Sequence, residues 1–226
     1  MNNTSYQEQL LEWQYELNRQ RQGTEELIFV ENCVDQAPTP RDFTYIVSNI
    51  YGPGVPNPDN PENADRLCGC NCYLLGKKCN SKQAKHCCPH MAGEQFPYSI
   101  AGKVKVAPGS PIFECNSKCS CPYDCANRVV QQGRMIPLCI FRTHNGRGWG
   151  VKAVEPIKAN TFVTEYVGEV ITSEEAERRG QQYDKKGMTY LFDLDFDDEN
   201  AAFTIDAAKF GNISHFFNHS VSYLSE

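Results

Sequence analysis

Apolar residues near the start of the chain recur at helical spacing: Tyr6, Leu10, Trp13 and Leu17 stand four, three and four residues apart, with Gln, Glu and Arg between them. That spacing predicts an amphipathic helix over residues 5–22, its aromatic stripe docked on a core and Gly23 as its stop. Short apolar runs of strand length follow, LIFV at 27–30 and FTYIV at 43–47. After Pro137 the same texture returns in LCIFRT (138–143), WGVKAV (149–154), TFVTEYVG (161–168), EVIT, TYLFDLDF (189–196) and FTIDA (203–207). One helix interrupts these strands, with Ser173 as its N-cap, Glu174 and Glu175 in its first turn, and an end near Gly180. The fold class expected is mainly β with short helices.

Between the two β-rich stretches the pattern fails. Residues 51–61, YGPGVPNPDNP, hold four Pro and two Gly and read as an extended connection. From Arg66 to about Gln132 periodicity is weak and Cys, Asn, Lys, Gly and Pro dominate, leaving little apolar material to form a core. Three units are expected: 1–66 with the helix, strands and Pro-rich connection, 67–133 with the cysteines, and 134–226 with the second set of strands.

Composition sharpens this picture. With 226 residues and 40% hydrophobic residues the chain can bury a core and is not a disordered tail. No apolar run approaches the ~18 residues of a membrane span, and MNNTSYQEQL lacks the basic and apolar regions of a signal peptide, so a reducing compartment and no membrane contact are expected. The formal charge of -6 argues against a sequence-independent grip on nucleic acid and suits a cationic partner.

Twelve residues are Cys, and ten of them fall between Cys68 and Cys125. Neighbours as close as Cys87 and Cys88 make poor disulfide partners, so metal ligation is the better reading. Nine thiolates suffice for three tetrahedral zinc ions when six are terminal and three bridge two ions each. Cys70, Cys72, Cys79, Cys87 and Cys88 form one block, and Cys115, Cys119, Cys121 and Cys125 the other. Cys68 is left over because the first block reads from Gly69-Cys70-x-Cys72, although a shift to Cys68 and Cys70 satisfies the same count. His86 and His90 read as surface histidines, and Cys33 and Cys139, inside apolar strand runs, as buried thiols.

Four further runs carry candidate chemistry: Asn145-Gly146-Arg147-Gly148-Trp149-Gly150, Glu165-Tyr166-Val167-Gly168-Glu169, TYLFDLD from Thr189, and GNISHFFNHS from Gly211 to Ser220. The glycine-rich run alone is weak, Tyr166 alone is an ordinary strand aromatic, and the acidic residues Asp193, Asp195, Asp197, Asp198 and Glu199 read as a solvated hairpin tip. Their order behind the nine-cysteine block is specific. The combination resembles the pre-SET and SET regions of the suppressor-of-variegation class of histone lysine methyltransferases, from about Leu10 to Ser220, including LLEWQYELNRQRQ and FVENCVDQAPTPRDFTYI.

The resemblance implies a triangular three-zinc pre-SET cluster and a SET domain of small curved sheets. It implies methyl transfer from S-adenosylmethionine to lysine 9 of the histone H3 tail, hence heterochromatin formation and gene silencing in the nucleus, with other heterochromatin proteins as partners and no sequence-specific DNA binding. Carried over to this sequence, Arg147, Gly148, Trp149, Tyr190, Asn218 and His219 hold S-adenosylmethionine, and Tyr166 lines the lysine channel. The sequence departs from the family after Ser220, reading Val221-Ser222-Tyr223-Leu224 where relatives continue with Cys, Asp, Pro and Asn and the second half of the SET core. The later active-site tyrosine, the C-terminal cysteine cluster and an N-terminal chromodomain are not found in it. A methyl-lysine pocket open on one side and weak or no turnover by the isolated chain are therefore expected, with a non-catalytic chromatin module as the alternative function.

Overall fold

A computed structural model of the chain describes residues 5–21, 25–58, 60, 68–80, 86–185, 190–194 and 202–218. Helix α1 (Tyr6–Arg19) starts at a capping box, in which Ser5 Oγ accepts from the Glu8 N–H and Glu8 Oε2 accepts from the Ser5 N–H at 2.6 Å. Its apolar stripe buries Leu10 and Leu17, as the spacing predicts; Gly23 lies outside the described residues. The helix covers strand β1 (Ile28–Glu31) with side-chain amides as well as apolar groups. Asn18 exchanges hydrogen bonds with both backbone groups of Ile28 (2.7 and 3.0 Å), and Gln14 Oε1 accepts from the Val30 N–H at 2.8 Å. These amides occupy the edge of β1 that no strand pairs.

Three small sheets follow. β1 lies parallel to β4 (Leu138–Arg142), which pairs antiparallel with β5 (Trp149–Ala153). β2 (Thr44–Tyr45) lies parallel to β9 (Phe210–Gly211). β3 (Ile50–Tyr51) lies parallel to β6 (Glu169–Thr172) at one edge of a sheet completed by β8 (Phe203–Asp206) and β7 (Leu191–Asp193). Every strand before the Pro-rich connection thus adds to a sheet whose other strands lie after Pro137. Parallel pairing demands a long crossover, and the cysteine-rich stretch, whose described residues form the short helix α2 (Cys88–Met91) and a 3₁₀ turn at Val130–Gln132, is that crossover.

There are two cores. One packs Leu17, Ile28, Leu138, Ile140, Ile213 and Phe216, roofed by aromatic edges: Trp13 meets Trp149 at 5.1 Å and Phe216 at 5.7 Å between ring centres. The other consists of cysteines with Phe96 and Tyr98.

Local expectations fail where distant groups decide. TFVTEYVG forms no strand: its backbone is held by side chains, Asn212 Nδ2 donating to the Glu165 carbonyl at 2.9 Å and the Gly168 N–H to Asn49 Oδ1 at 2.9 Å. FTYIV shortens to Thr44–Tyr45, the length of its partner β9. Helix α3 (Ser173–Asp184) is capped by Thr172, one residue earlier than expected, and runs through Gly180. Its last turns are fastened to the sheet at Asp206, which accepts from Arg179 at 2.8 Å and from the Tyr183 hydroxyl at 2.7 Å. Cys33 is exposed, because β1 ends at Glu31 and Asn32 Oδ1 turns the chain by accepting from the Val34 and Asp35 N–H groups. Cys139 is buried, as expected. Of the acidic tip only Asp193 falls within the described residues.

Trp13 joins α1 to both Trp149 and Phe216, so truncating it opens a cavity between three elements. Trp13→Ala is expected to cost about 3 kcal/mol in denaturant unfolding of the zinc-loaded chain, and Trp13→Phe less than about 1.5 kcal/mol.

Candidate metal centre and cofactor site

The cysteines sit in loops and tight turns without a ladder to fix them, so their own side chains must hold the region. Among the described residues three groups of four sulfurs lie within 4.8 Å of one another: Cys70, Cys88, Cys115 and Cys119; Cys70, Cys79, Cys87 and Cys115; Cys79, Cys115, Cys121 and Cys125. Sulfurs are 3.7 Å apart for Cys70 and Cys115, 3.8 Å for Cys70 and Cys79, and 3.8 Å for Cys87 and Cys115. None is a disulfide. A zinc ion bonded to four sulfurs at ~2.3 Å spaces them about 3.8 Å apart along each tetrahedral edge, so the donor set fits zinc in both kind and spacing. Cys72 is buried in the same cluster, its thiol facing Cys70, Cys79 and Cys87. Cys68 is exposed and outside all three groups, and His86 and His90 are exposed.

The electrostatics also call for a cation. Burial pushes the Cys72 thiol up to about 12, and hydrogen bonding with Cys125, Cys79, Cys87 and Cys88 pushes Cys115 upward as well. Thiolates so crowded ionise together only against positive charge. The surroundings already favour sulfur anions: Cys119 accepts from the N–H groups of Cys70 (3.3 Å) and Asn116 (3.2 Å), and Cys125 from that of Asn127 (3.4 Å). The fully buried Asn127 donates its amide to Cys115 at 3.4 Å, and Arg128 points a guanidinium at Cys121 at 3.8 Å. The sequence pattern does not single out Asn127 and Arg128; their signal is position, two and three residues past Cys125.

The second constellation lies among the sheets. Gly148 has φ +79°, a conformation that closes the glycine-rich turn and favours glycine; the Thr143 N–H and hydroxyl both donate to its carbonyl at 2.9 Å. Arg147 belongs to this turn, its N–H donating to Asn145 Oδ1. Asn218 Nδ2 donates to the Trp149 carbonyl at 3.2 Å, an approach that needs Gly150, where a Cβ would stand 2.8 Å from that nitrogen. The structure thus joins Gly148, Trp149 and Asn218. It brings Tyr166 and Tyr190 together separately, the Tyr166 hydroxyl donating to the Tyr190 carbonyl at 2.8 Å. His219 lies outside the described residues.

The turn Ile213–Phe216 links the two groups. Phe216 packs on Trp13, and His215 stacks on Tyr190 with centroids 4.4 Å apart and planes 7° from parallel. The His215 Nδ1–H donates to the Ala207 carbonyl at 2.7 Å, and burial lowers its pKa, so the ring is neutral in this stack. Nothing in the sequence pattern had singled it out.

Nine clustered cysteines wired through a crossover into small sheets that present a glycine-rich turn and paired tyrosines define the pre-SET and SET class. Residues 20–128 match the Pre-SET motif and residues 148–224 the SET domain. The histone-lysine N-methyltransferase SUV39H2 of Xenopus tropicalis is 53% identical over 215 residues, covering 93% of this chain and 48% of that protein. The chain spans about half the length of the curated relatives it matches. Among solved structures, the Neurospora SET domain protein DIM-5, a histone lysine methyltransferase, is similar with a TM-score of 0.70 and 32% identity over 86% of this chain and 80% of that one. KRYPTONITE, solved with mCHH DNA, an H3(1-15) peptide and SAH, is similar with a TM-score of 0.66 and 30% identity over 89% of this chain and 38% of that one. The chain belongs to the suppressor-of-variegation class of SET-domain histone-lysine N-methyltransferases.

Burial raises the Tyr166 hydroxyl from 10.0 to about 12, so the fold favours its neutral form. The resulting stabilisation is complete below pH 10 and is lost as pH rises through about 12. An ultraviolet phenolate titration of the folded chain is expected to lose one late-titrating tyrosine in Tyr166→Phe; loss of amplitude near pH 10 instead would place Tyr166 in solvent.

Proposed function

We propose that this chain forms the zinc-bearing and cofactor-binding part of an enzyme that transfers methyl from S-adenosylmethionine to lysine 9 of histone H3. The zinc ligands are the nine cysteines of the cluster. Cys115 falls in all three sulfur groups, and Cys72, buried with Cys70, Cys79 and Cys87 as neighbours, supports a sharing in which it takes the place of Cys115 in the first. One ion would be held by Cys70, Cys72, Cys79 and Cys87, the second by Cys70, Cys88, Cys115 and Cys119, and the third by Cys79, Cys115, Cys121 and Cys125. Cys70, Cys79 and Cys115 would then each be shared by two ions, and the remaining six thiolates would each serve one. The ions supply cross-links in place of an apolar core.

The observation that carries the catalytic reading is the hydroxyl of Tyr166 on the Tyr190 carbonyl, a pair linked through His215 and Phe216 to Trp13 and so to Trp149, whose carbonyl Asn218 holds. When bound, S-adenosylmethionine supplies an electrophilic methyl on a sulfonium centre. Arg147, Gly148 and Trp149 hold it through turn backbone and indole face, Asn218 and His219 through polar groups, and Tyr190 through its ring. Tyr166 walls the lysine channel, its neutral hydroxyl fixed by Tyr190, so the acceptor amine meets an aromatic surface that disfavours the ammonium form. In-line transfer then depends chiefly on alignment. A nuclear role on chromatin, with the H3 tail as substrate and heterochromatin proteins as partners, follows from this reading, and the chain's net charge of -6 suits a basic tail.

Trp13→Phe leaves Trp149 as the sole tryptophan, since the chain has two. Titration of S-adenosylhomocysteine into that variant is expected to quench Trp149 emission, with affinity at least about tenfold weaker once Asn218→Ala is added, as for one lost polar contact near 1.4 kcal/mol. Labelled methyl from S-adenosylmethionine should reach an H3 tail peptide and not its lysine-9-to-arginine control. Absence of label in a folded, zinc-loaded, cofactor-binding sample would assign the chain to the non-catalytic module instead. For the metal centre, Cys115→Ser is expected to lower zinc content below that of Cys121→Ser by elemental analysis, because Cys115 serves two ions; equal losses would refute the bridging assignment.

A further inference from the structure

The cysteine region carries a feature that neither zinc binding nor methyl transfer uses. A cleft of about 770 Å³ opens beside the cluster, with Cys79, Cys121 and Cys125 in its wall. Its floor includes Phe96 and Tyr98, which are 5% and 2% exposed, and Tyr73 and Ile100 stand on its rim. Ile100 is 99% exposed, and the turn beside Tyr73 displays Leu74 and Leu75, 75% and 59% exposed. Several large apolar side chains gathered in the open around a concave surface are the signature of a binding site.

Charge selects the occupant. Among the described residues Lys77, Lys78 and Lys105 line the cleft against one carboxylate, that of Asp124. The bias extends through the region: residues 67–133 hold eight Lys or Arg and three Asp or Glu, whereas the rest of the chain holds fourteen and twenty-five. A basic face on an otherwise acidic chain attracts an anionic partner and repels a basic one such as a histone tail. The exposed apolar surface is chiefly aliphatic, and the aromatic faces of Phe96 and Tyr98 are buried, so it offers little on which bases could stack. We propose that this cleft is a docking site for an acidic peptide segment bearing bulky apolar side chains, the lysines taking its carboxylates and the Tyr73 and Ile100 rim its apolar anchors. None of the proposed cofactor or lysine-channel residues lines the cleft, so a partner held there leaves the methyl-transfer site open.

The test uses the zinc-loaded chain and a fluorescein-labelled ten-residue peptide alternating Asp or Glu with Leu or Phe, read by anisotropy. Saturable binding is expected, weakened at least about tenfold by Lys77→Glu combined with Lys105→Glu, or by Ile100→Ser, and lost when Asn and Gln replace the acids. Zinc content and S-adenosylhomocysteine binding should be unchanged in these surface variants, which separates failure of the cleft from failure of the cofactor site. No saturable binding up to about 1 mM, or binding that the lysine and Ile100 variants leave intact, would overturn the proposal. So would a single-stranded oligonucleotide that competes equally and shows the same lysine dependence, which would make the cleft a nucleic-acid surface. Concentration-dependent self-association abolished by the same variants would instead assign it to a second copy of the chain.

Discussion

Sulfur packed against sulfur at tetrahedral-edge spacing, with backbone N–H groups and an arginine turned toward it, is the constraint from which the architecture follows. The crossover between β3 and β4 must be long, because strands on its two sides pair in parallel, and among its described residues the one α-helix is the four-residue α2. A chain in that position with little apolar surface cannot meet the entropy of its own ordering by burial. Metal–thiolate bonds replace that contribution. Asn127 and Arg128 are buried beside the sulfurs, which take part of their donor capacity, other donors going to the carbonyls of Phe113 and Asn116 and to Gln131 Oε1.

The crossover returns the chain so that the segment before it and the segment after it share every sheet. α1 therefore packs on strands from both, and Trp13 touches Trp149 and Phe216, next to the elements that carry the proposed cofactor residues. The polar network around Asp206 does the same for α3, tying Arg179 and Tyr183 to the strand beside Tyr190. Site geometry is thus set by contacts between segments far apart in sequence, and the Asn218 amide on the Trp149 carbonyl is the last of these.

Legibility in the sequence follows the range of the interaction involved. α1 is readable because its stripe and capping box are local, and the cysteine cluster because nine cysteines sit within two short blocks. The loop nature of 161–168 is not, since an apolar alternating run becomes a strand only if a ladder partner arrives, and here Asn49 and Asn212 take its backbone groups instead. The expected end of α3 near Gly180 falls one turn short of Asp184, where a carboxylate on β8 holds the last turn. Cys33 looked buried because the apolar run before it hides the turn that Asn32 makes. The paired tyrosines were found by resemblance to a family; their hydrogen bond, and the His215 stack behind it, belong to tertiary structure alone.

The central claim is that shared thiolates, not burial, hold the middle of the chain. X-ray absorption at the zinc edge of the purified protein tests it most directly. The account predicts a first shell of four sulfurs at ~2.3 Å and a second shell of zinc at about 3.8 Å, the separation that one bridging thiolate imposes. Nitrogen or oxygen in the first shell, or sulfur without a neighbouring zinc, would contradict it.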